Sequence, residues 1–397
     1  MVLAKRMNLI SPSPTLAITA KANKMKAEGI NVIGFGAGEP DFDTPANIKE
    51  AAKKAIDSGF TKYTPTSGTK ELKEAVCKKF KNDNNLDYTP EQILVSCGAK
   101  HSIFNIIFAL CDDGDEAIIP SPYWVSYPEM VRAAGGRPVF IKTTQNNNFK
   151  ITPEQLEKAI TSKTKILILN SPSNPTGMIY SEPELKALAK VIVSKNIYCI
   201  SDEIYEKLVY DNQKHISIAA FDENIRRLTL VVNGVSKSHS MTGWRIGYCA
   251  GPKEIIQAMS NLQDHSTSNP ASISQAAAVE ALTGPADSFK IMFDAFVKRR
   301  NIMVTGLNSI KGIKCLKPQG AFYVFPDISE LLKKNYNGKT IGNSLALTEL
   351  LLENAKVAVI PGSVFGEDNA IRLSYAVSDK NISEGLDRIK KFANAVR

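Results

Sequence analysis

Between residues 90 and 250 the chain repeats one pattern, in which a short run of apolar, mostly β-branched residues is followed by a longer amphipathic stretch. Strands that are apolar on both faces and alternate with helices form a mostly parallel sheet covered by helices on both sides. Such a sheet binds ligands at the carboxyl ends of its strands, so the residues that follow each run are the candidates for chemistry. Seven strands are predicted, over 92–96, 116–120, 137–142, 165–170, 197–202, 228–233 and 246–251.

The stretches on either side of this block read differently. Two helices are predicted ahead of it, over residues 45–58 and from Thr69 onward, and short strands and helices alternate irregularly after residue 310. The fold class is therefore α/β, with a large domain built on the sheet and a small α+β domain. We expect the large domain to span residues 46–290 and the small one to be assembled from residues 1–45 and 291–397.

Composition excludes several classes of protein. With 397 residues and 43% hydrophobic content the chain can bury a sizeable core. The 49 Lys and Arg residues exceed the 40 Asp and Glu residues, but the basic residues alternate with acidic ones in helical segments, so no nucleic-acid partner is expected. No apolar run approaches the ~18–20 residues that a membrane span needs, and the amino terminus lacks the apolar region of a signal peptide. We expect a cytoplasmic protein without a membrane partner.

The six cysteines and four histidines are scattered along the chain and show no metal-ligand spacing. The cysteines are interpreted as reduced thiols and the histidines as structural or surface residues. No metal centre is expected.

The first candidate loop is a turn of small residues between a strand and a helix. Gly98 and Ala99 precede a helix that begins near Lys100. The amino end of a helix presents free backbone N–H groups and a partial positive charge, which suit a phosphate. Most turns of this kind bind nothing, so this signal depends on its neighbours.

Polar residues also follow the next predicted strands. Asn174 lies in the Pro- and Ser-rich turn after strand 165–170, and Asp202 ends strand 197–202 with Tyr205 three residues later. One helical turn separates Asp202 from Tyr205, so both could face one cavity. Asp202 alone could equally cap a following helix.

The fourth loop adds cations. Lys237 follows strand 228–233, and Arg245 lies eight residues further on, within a segment that contains Trp244. Desolvation and a nearby cation lower the pKa of an amine, which makes Lys237 competent to form an imine with an aldehyde. A lysine imine, a carboxylate and an arginine for a phosphate together describe a pyridoxal phosphate site.

Six motifs then occur in order between Gly36 and Ala376: GAGEPDFDTP, SPYWVSYPEM, NSPSNPTG, SDEIYE, SKSHSMTGWRIGY and RLSYA. On these motifs the sequence resembles the class I, fold type I pyridoxal-phosphate-dependent aminotransferases, and among them the bacterial aspartate aminotransferases. The resemblance covers essentially the whole chain and implies pyridoxal 5'-phosphate as the cofactor.

The resemblance assigns a role to each candidate residue at the cofactor ring. Lys237 falls on the lysine that forms the Schiff base and moves the Cα proton, and Asp202 on the carboxylate that pairs with the pyridine nitrogen. Asn174 and Tyr205 would hydrogen-bond the ring 3-oxygen, and Trp124 would stack on the ring.

It likewise assigns the groups around the phosphate and the substrate. The phosphate would be held by the Gly98-Ala99-Lys100 backbone, Ser236, Arg245 and, from a neighbouring subunit, Tyr63, which implies a homodimer with shared active sites. Arg372 and the Gly38 backbone would bind the substrate α-carboxylate beside Trp124 and Asn174. Lys100 would bind the second carboxylate of a dicarboxylic substrate.

The activity that this resemblance implies is aspartate aminotransferase: the amino group of L-aspartate passes to 2-oxoglutarate, giving oxaloacetate and L-glutamate, in a ping-pong mechanism. Donors of aromatic or alanine type, prephenate, decarboxylation and elimination remain alternatives on the same fold. Ser11 stands before Pro12 where prephenate-accepting relatives tend to carry Lys or Arg, which argues against prephenate. A transcription regulator would need a further domain ahead of residue 36, and an inactive binding protein would not retain all these groups.

Overall fold

The computed structural model describes residues 4–10, 14–285 and 287–397. Its largest element is a seven-stranded sheet, and every end of these strands lies within one residue of its predicted position. The strands are β1 (Ile93–Ser96), β2 (Glu116–Ser121), β3 (Arg137–Lys142), β4 (Thr164–Asn170), β5 (Tyr198–Asp202), β6 (Thr229–Gly234) and β7 (Gly247–Ala250).

The strand order across the sheet is β1-β7-β6-β5-β4-β2-β3. Six strands run in one direction, and β7 alone is antiparallel to both of its neighbours, β1 and β6. A parallel β7 would need a crossover connection, usually a helix, but residues 235–246 contain only one short 3-10 turn. The chain therefore turns back at once, and the β6–β7 loop stays at the carboxyl edge of the parallel strands. The prediction of a mostly parallel sheet is confirmed.

Helices cover both faces of the sheet and pack on three apolar clusters that its strands contribute to. The two helices predicted ahead of the sheet are confirmed, and the Thr69 side chain caps the second by accepting from the Leu72 amide at 3.2 Å. The α-helices are Pro14–Ala27, Ala46–Asp57, Lys70–Asn84, Ala99–Leu110, Ser126–Ala133, Pro153–Ala159, Glu182–Lys195, Glu223–Arg226, Lys253–Asp264, Ser272–Thr283, Asp287–Asn308, Ser329–Leu332, Ser344–Leu350 and Asp379–Ala395. In the described ranges, none of them has the length and apolar character that crossing a membrane requires.

The tail of the chain builds a second, smaller sheet. Its three antiparallel strands are ordered Ile360–Pro361, Ile371–Ser374 and Tyr323–Val324. The amino-terminal strand Ile33–Gly34 pairs in parallel with Val357–Ala358. The Phe35 N–H then donates to the Ala358 carbonyl at 2.8 Å, and its own carbonyl accepts from the Ser374 N–H at 2.8 Å. Residues from both ends of the chain therefore pack together.

A buried polar network lies behind the turn that follows β5. Glu206 pairs with Lys79 and accepts from the Asn84 amide at 2.8 Å, and both members of the Lys79–Glu206 pair are only 5% exposed. Burial by itself raises the pKa of Glu206, but Lys79 lowers it below the ordinary value. Glu203, in the same turn, bonds to His215 at 2.8 Å. The network anchors the turn that follows β5.

We predict that Lys79→Met lowers the free energy of unfolding by about 3–5 kcal/mol, because it leaves the Glu206 charge buried without its partner. Urea denaturation followed by circular dichroism measures the effect. Lys53→Met is the matched control, since Lys53 pairs with Glu50 on an exposed helix face and its loss should leave stability nearly unchanged. Equal effects of the two substitutions would contradict the importance of the buried pair.

Candidate active site

A cavity of about 460 Å³ opens at the carboxyl edge of the parallel strands, between the sheet, the amino-terminal segment and the tail. It brings together most of the site residues that the sequence predicted. Those lining it are Gly38, Ala99, Lys100, Trp124, Asn174, Asp202, Tyr205, Ser236, Lys237, Arg245 and Arg372. Gly98 lies directly behind Arg245. Tyr63 lies outside the cavity with 93% of its surface exposed.

Lys237 extends into the cavity from the β6–β7 loop. Its Nζ donates a 2.6 Å hydrogen bond to the Gly38 carbonyl. Burial lowers the pKa of the Lys237 amine to about 8, with Arg245 and Arg372 acting in the same direction against Glu39 and Asp202. About a tenth of this amine is therefore neutral, and nucleophilic, at pH 7, far more than for an ordinary lysine.

Asp202 ends β5 and is buried. The Tyr127 hydroxyl donates to its Oδ2 at 2.6 Å and the Ile204 amide to its Oδ1 at 3.3 Å. Burial raises the pKa of the Asp202 carboxyl to about 6, against the lowering effect of the Tyr127 hydrogen bond. Residues 204–207 form a turn and no helix begins there, so the alternative that Asp202 is a helix cap is wrong.

Tyr205 faces the same cavity from that turn. Its hydroxyl lies 2.9 Å from the Tyr323 hydroxyl, which comes from the small sheet. Burial raises the pKa of the Tyr205 phenol well above its usual range. The Tyr205 hydroxyl therefore stays protonated and can act as a hydrogen-bond donor.

Asn174 and Arg372 line the cavity and contact each other. Arg372 Nη1 donates to Asn174 Oδ1 at 3.0 Å, and Nη2 donates to the Gly36 carbonyl at 2.8 Å. Arg372 Nε is buried and has no partner among the described residues. A buried guanidinium whose partners are neutral oxygens is prepared to receive an anion.

Asn174 is in turn held by its own loop, because the Asn174 amide N–H donates to Asn170 Oδ1 at 2.8 Å. Asn170 Nδ2 donates to the Asp202 carbonyl oxygen at 3.0 Å. The loops after β4 and β5 are therefore linked side by side.

The turn before helix Ala99–Leu110 lies against Arg245, an arrangement that suits an anion. Gly98, at φ +87°, precedes the helix, and the first N–H groups of a helix have no partner within it. Arg245 Nη2 donates to the Cys97 carbonyl at 3.2 Å and Nη1 to the Thr242 carbonyl at 2.9 Å. A Cβ atom on Gly98 would overlap the guanidinium, so only glycine permits this approach.

Trp124 and Lys100 also line the cavity. Lys100 Nζ lies 5.0 Å from the centre of the Trp124 ring, which contacts Tyr127 edge to face. Burial lowers the pKa of Lys100, and Arg245 acts in the same direction. Lys100 thus joins Lys237, Arg245 and Arg372 among the cations that line the cavity.

Sequence reasoning missed Tyr127, Asn170 and Tyr323, which contact Asp202, Asn174 and Tyr205 respectively. Tyr127 and Asn170 occur inside two of the six motifs, whereas Tyr323 lies outside all of them, and the partners of these residues are distant along the chain or lie in a turn. For Tyr127 and Asn170, position in a motif was a signal that the sequence offered. The contacts that the three residues make could not be predicted from the sequence.

The residues of the cavity fit pyridoxal phosphate. Arg245 and a helix amino terminus supply an anion site, Lys237 a buried amine of lowered pKa, Asp202 a buried carboxylate and Trp124 an aromatic face. The unpartnered Arg372 Nε leaves room for a further anionic group.

Comparison with known proteins identifies the family of this chain. Residues 30–389 match the family described as aminotransferase class I and II. An aspartate aminotransferase of Bacillus sp. (strain YM-2) is 54% identical over 98% of this chain and 99% of its own length. An aspartate/prephenate aminotransferase of Nitrosomonas europaea is 50% identical over 98% and 99% of the two chains.

The fold shows the same relationship. The crystal structure of the aspartate aminotransferase from Rhizobium meliloti superposes with a TM-score of 0.97, at 45% identity, over 100% of both chains. The chain therefore belongs to the class I and II aminotransferase family, and it is an enzyme that depends on pyridoxal phosphate.

Proposed function

We propose that the protein is an aspartate aminotransferase, which moves the amino group of L-aspartate to 2-oxoglutarate in a ping-pong reaction. The observation that carries this proposal is the pair of separate cations, Arg372 and Lys100, that line one cavity. Aspartate, glutamate and their oxo acids each have two carboxylates, and each carboxylate needs its own cation. The names of the relatives from Bacillus and Rhizobium support the same activity.

Each residue of the cavity has a proposed place around the cofactor. When bound, pyridoxal phosphate supplies an aldehyde carbon that accepts the amino group and a ring that withdraws electrons from the substrate Cα. Lys237 would hold the aldehyde carbon and Trp124 the ring face, while Asn174 and Tyr205 would donate to the ring 3-oxygen. The phosphate would lie against Arg245, Ser236 and the backbone of Gly98, Ala99 and Lys100.

Lys237 is the proposed general base and acid. Its amine, with a pKa of about 8, is partly neutral near neutral pH, so it would take up the proton from the substrate Cα and deliver it to the carbon that began as the aldehyde. The Gly38 carbonyl accepts from Nζ and so directs the amine into the cavity.

Asp202 would act on the ring nitrogen. With a pKa of about 6 it is ionised at neutral pH, and a carboxylate there favours a protonated nitrogen. The Tyr127 hydroxyl holds the carboxylate in place at 2.6 Å.

Binding of the α-carboxylate would draw the small domain onto the large one. We propose that the domains span residues 46–290, and 1–45 with 291–397. Arg372 belongs to the tail but donates to Asn174 of the large domain, so an anion bound between them would pull both together. Closure would exclude water from the reacting atoms.

A homodimer with shared active sites completes the proposal. Tyr63 is 93% exposed and Phe60 and Ile56 nearby are also exposed, which is unusual for large apolar side chains. A partner subunit would cover this surface, and Tyr63 would reach the phosphate in the partner's site. The six free cysteines support a cytoplasmic location, where thiols stay reduced.

Prephenate is the second candidate substrate, because the relative from Nitrosomonas carries it in its name. Ser11 and Pro12, on which the sequence argument against prephenate rests, lie outside the described residues. Prephenate therefore belongs in the substrate panel, together with aromatic amino acids and alanine.

We predict that the purified holoenzyme has a visible absorption band that changes on adding aspartate, and that aspartate with 2-oxoglutarate gives the highest kcat/KM of the panel. Stopped-flow absorbance and coupled detection of oxaloacetate measure the two effects.

Lys237→Ala should lose turnover by several orders of magnitude, because the proposed proton-transferring amine is gone. Full turnover in this variant, or a clear preference for another donor, would refute the assignment.

Capture of the cofactor should depend on pH through Lys237. We predict that the cofactor-free protein takes up pyridoxal phosphate covalently at a rate that rises with pH and reaches half its plateau near pH 8, because only the neutral amine attacks. Absorbance after rapid mixing measures the rate, with Lys237→Ala as the control for non-covalent binding. A midpoint near 10.5, the ordinary value for lysine, would contradict the lowered pKa.

Lys100 should control the choice between dicarboxylic and apolar substrates. We predict that Lys100→Ala raises KM for aspartate about 10–100-fold, the value of a hydrogen bond between charged groups, and leaves KM for alanine nearly unchanged. Lys100→Arg, which keeps the charge, serves as the matched variant, and its KM for aspartate should rise much less. Equal effects of Lys100→Ala on both amino acids would remove Lys100 from substrate recognition.

A further inference from the structure

Tyr323 contacts three of the residues that the sequence predicted for the site, yet no motif argument assigned it a role. It is fully buried in the strand Tyr323–Val324 of the small sheet and lines the cavity. Its hydroxyl lies 2.9 Å from that of Tyr205, and its ring centre is 4.5 Å from the Arg372 guanidinium carbon. A Cβ atom on Gly38 would come within 3.2 Å of the Tyr323 hydroxyl, so the chain passes close by.

The two hydroxyls share one hydrogen, which leaves the other hydrogen free for a further acceptor. If Tyr205 donates to Tyr323, the Tyr205 hydrogen is used inside the pair. If Tyr323 donates to Tyr205, the Tyr205 hydrogen is free to point into the cavity. The direction of this single hydrogen bond therefore decides whether the Tyr205 hydroxyl can donate to a group in the cavity.

The charge of Arg372 favours donation by Tyr323. The guanidinium lies over the Tyr323 ring, and a nearby cation makes a phenol a stronger acid and a better donor. Burial raises the pKa of both phenols and Arg372 lowers the pKa of both, but only the Tyr323 ring lies directly against the guanidinium. A phenol that accepts a hydrogen bond also becomes a better donor itself.

We propose that Tyr323 is a positioning residue that donates to Tyr205, so that the Tyr205 O–H points into the cavity, and that its ring supports the Arg372 guanidinium. The inference rests on the proposed function, in which Tyr205 donates to the ring 3-oxygen of the cofactor. A donor at that oxygen stabilises its anionic form and so lowers the pH at which the visible absorption of the holoenzyme changes.

Two variants of Tyr323 separate the hydroxyl from the ring. Tyr323→Phe removes only the hydroxyl, and we expect the pH midpoint of the absorption change to rise by about 0.5–1 pH unit, with KM for aspartate within about twofold of wild type. Tyr323→Leu also removes the ring beside Arg372, and should show the same midpoint rise together with an increase of about 3–10-fold in KM. Both variants lack the hydroxyl, so both must raise the midpoint.

The matched control is Tyr210→Phe, which removes another buried phenol whose hydroxyl donates to the Ala321 carbonyl and does not line the cavity. We expect its midpoint to equal that of wild type. A second readout, the dissociation constant of pyridoxal phosphate, should rise in Tyr323→Phe and stay unchanged in Tyr210→Phe.

A double-mutant cycle with Tyr205 tests the direction of action. In a Tyr205→Phe background, Tyr323→Phe should add no further shift of the midpoint, because the hydroxyl through which it acts is absent. Additive shifts, or an unchanged midpoint in Tyr323→Phe, would overturn the inference while aspartate turnover stands. A wild-type holoenzyme without a visible band or without aspartate turnover would instead overturn the proposed function.

Discussion

Burial of two cations in one cavity is the constraint on which the site depends. Lys237 donates to the Gly38 carbonyl, and Arg372 donates to the Gly36 carbonyl and the Asn174 amide oxygen. These hydrogen-bond partners are neutral, so dipoles solvate the two charges and neither cation is hydrogen-bonded to a carboxylate. Burying a charge in this way costs free energy unless an anion joins it. The pocket is therefore organised around anionic ligands.

Two of these dipoles, the Gly36 and Gly38 carbonyls, come from the segment of residues 36–44, which we call the N-terminal strap. The Trp244 indole N–H donates to Thr44 Oγ1 at 2.9 Å, and the Thr44 hydroxyl donates to the Ser240 carbonyl at 2.7 Å. Asp41 pairs with Arg299 of the long helix at 2.7 Å. The strap is thus tied to the β6–β7 loop on one side and to the tail on the other. Both ends of the chain contribute to a site whose centre is the sheet.

Much of the fold could be predicted because its signals are local. All seven strands of the sheet are short apolar runs, and the parallel direction follows from the helices between them. The exception is β7, whose direction depends on a loop too short and irregular for a crossover helix. The site residues at the strand ends were predictable for the same reason, since polar groups at the carboxyl ends of parallel strands meet at one edge. The turn after β5 was read as one turn of helix, whereas its residues are held by the buried network of Glu203, Glu206 and Lys79.

The sequence by itself determined the elements, the motif residues and the chemistry that Lys237, Asp202 and Arg372 can perform, because these follow from residue type and local spacing. Only the tertiary structure decided which groups touch them. Tyr127 meets Asp202 across 75 residues, Tyr205 meets Tyr323 across 118, and Arg372 meets Asn174 across 198. Such contacts have no period and no spacing in the chain, because they arise only when the strands, the strap and the small sheet pack around one cavity. The hydrogen-bond direction and pKa of each group at the site depend on that packing.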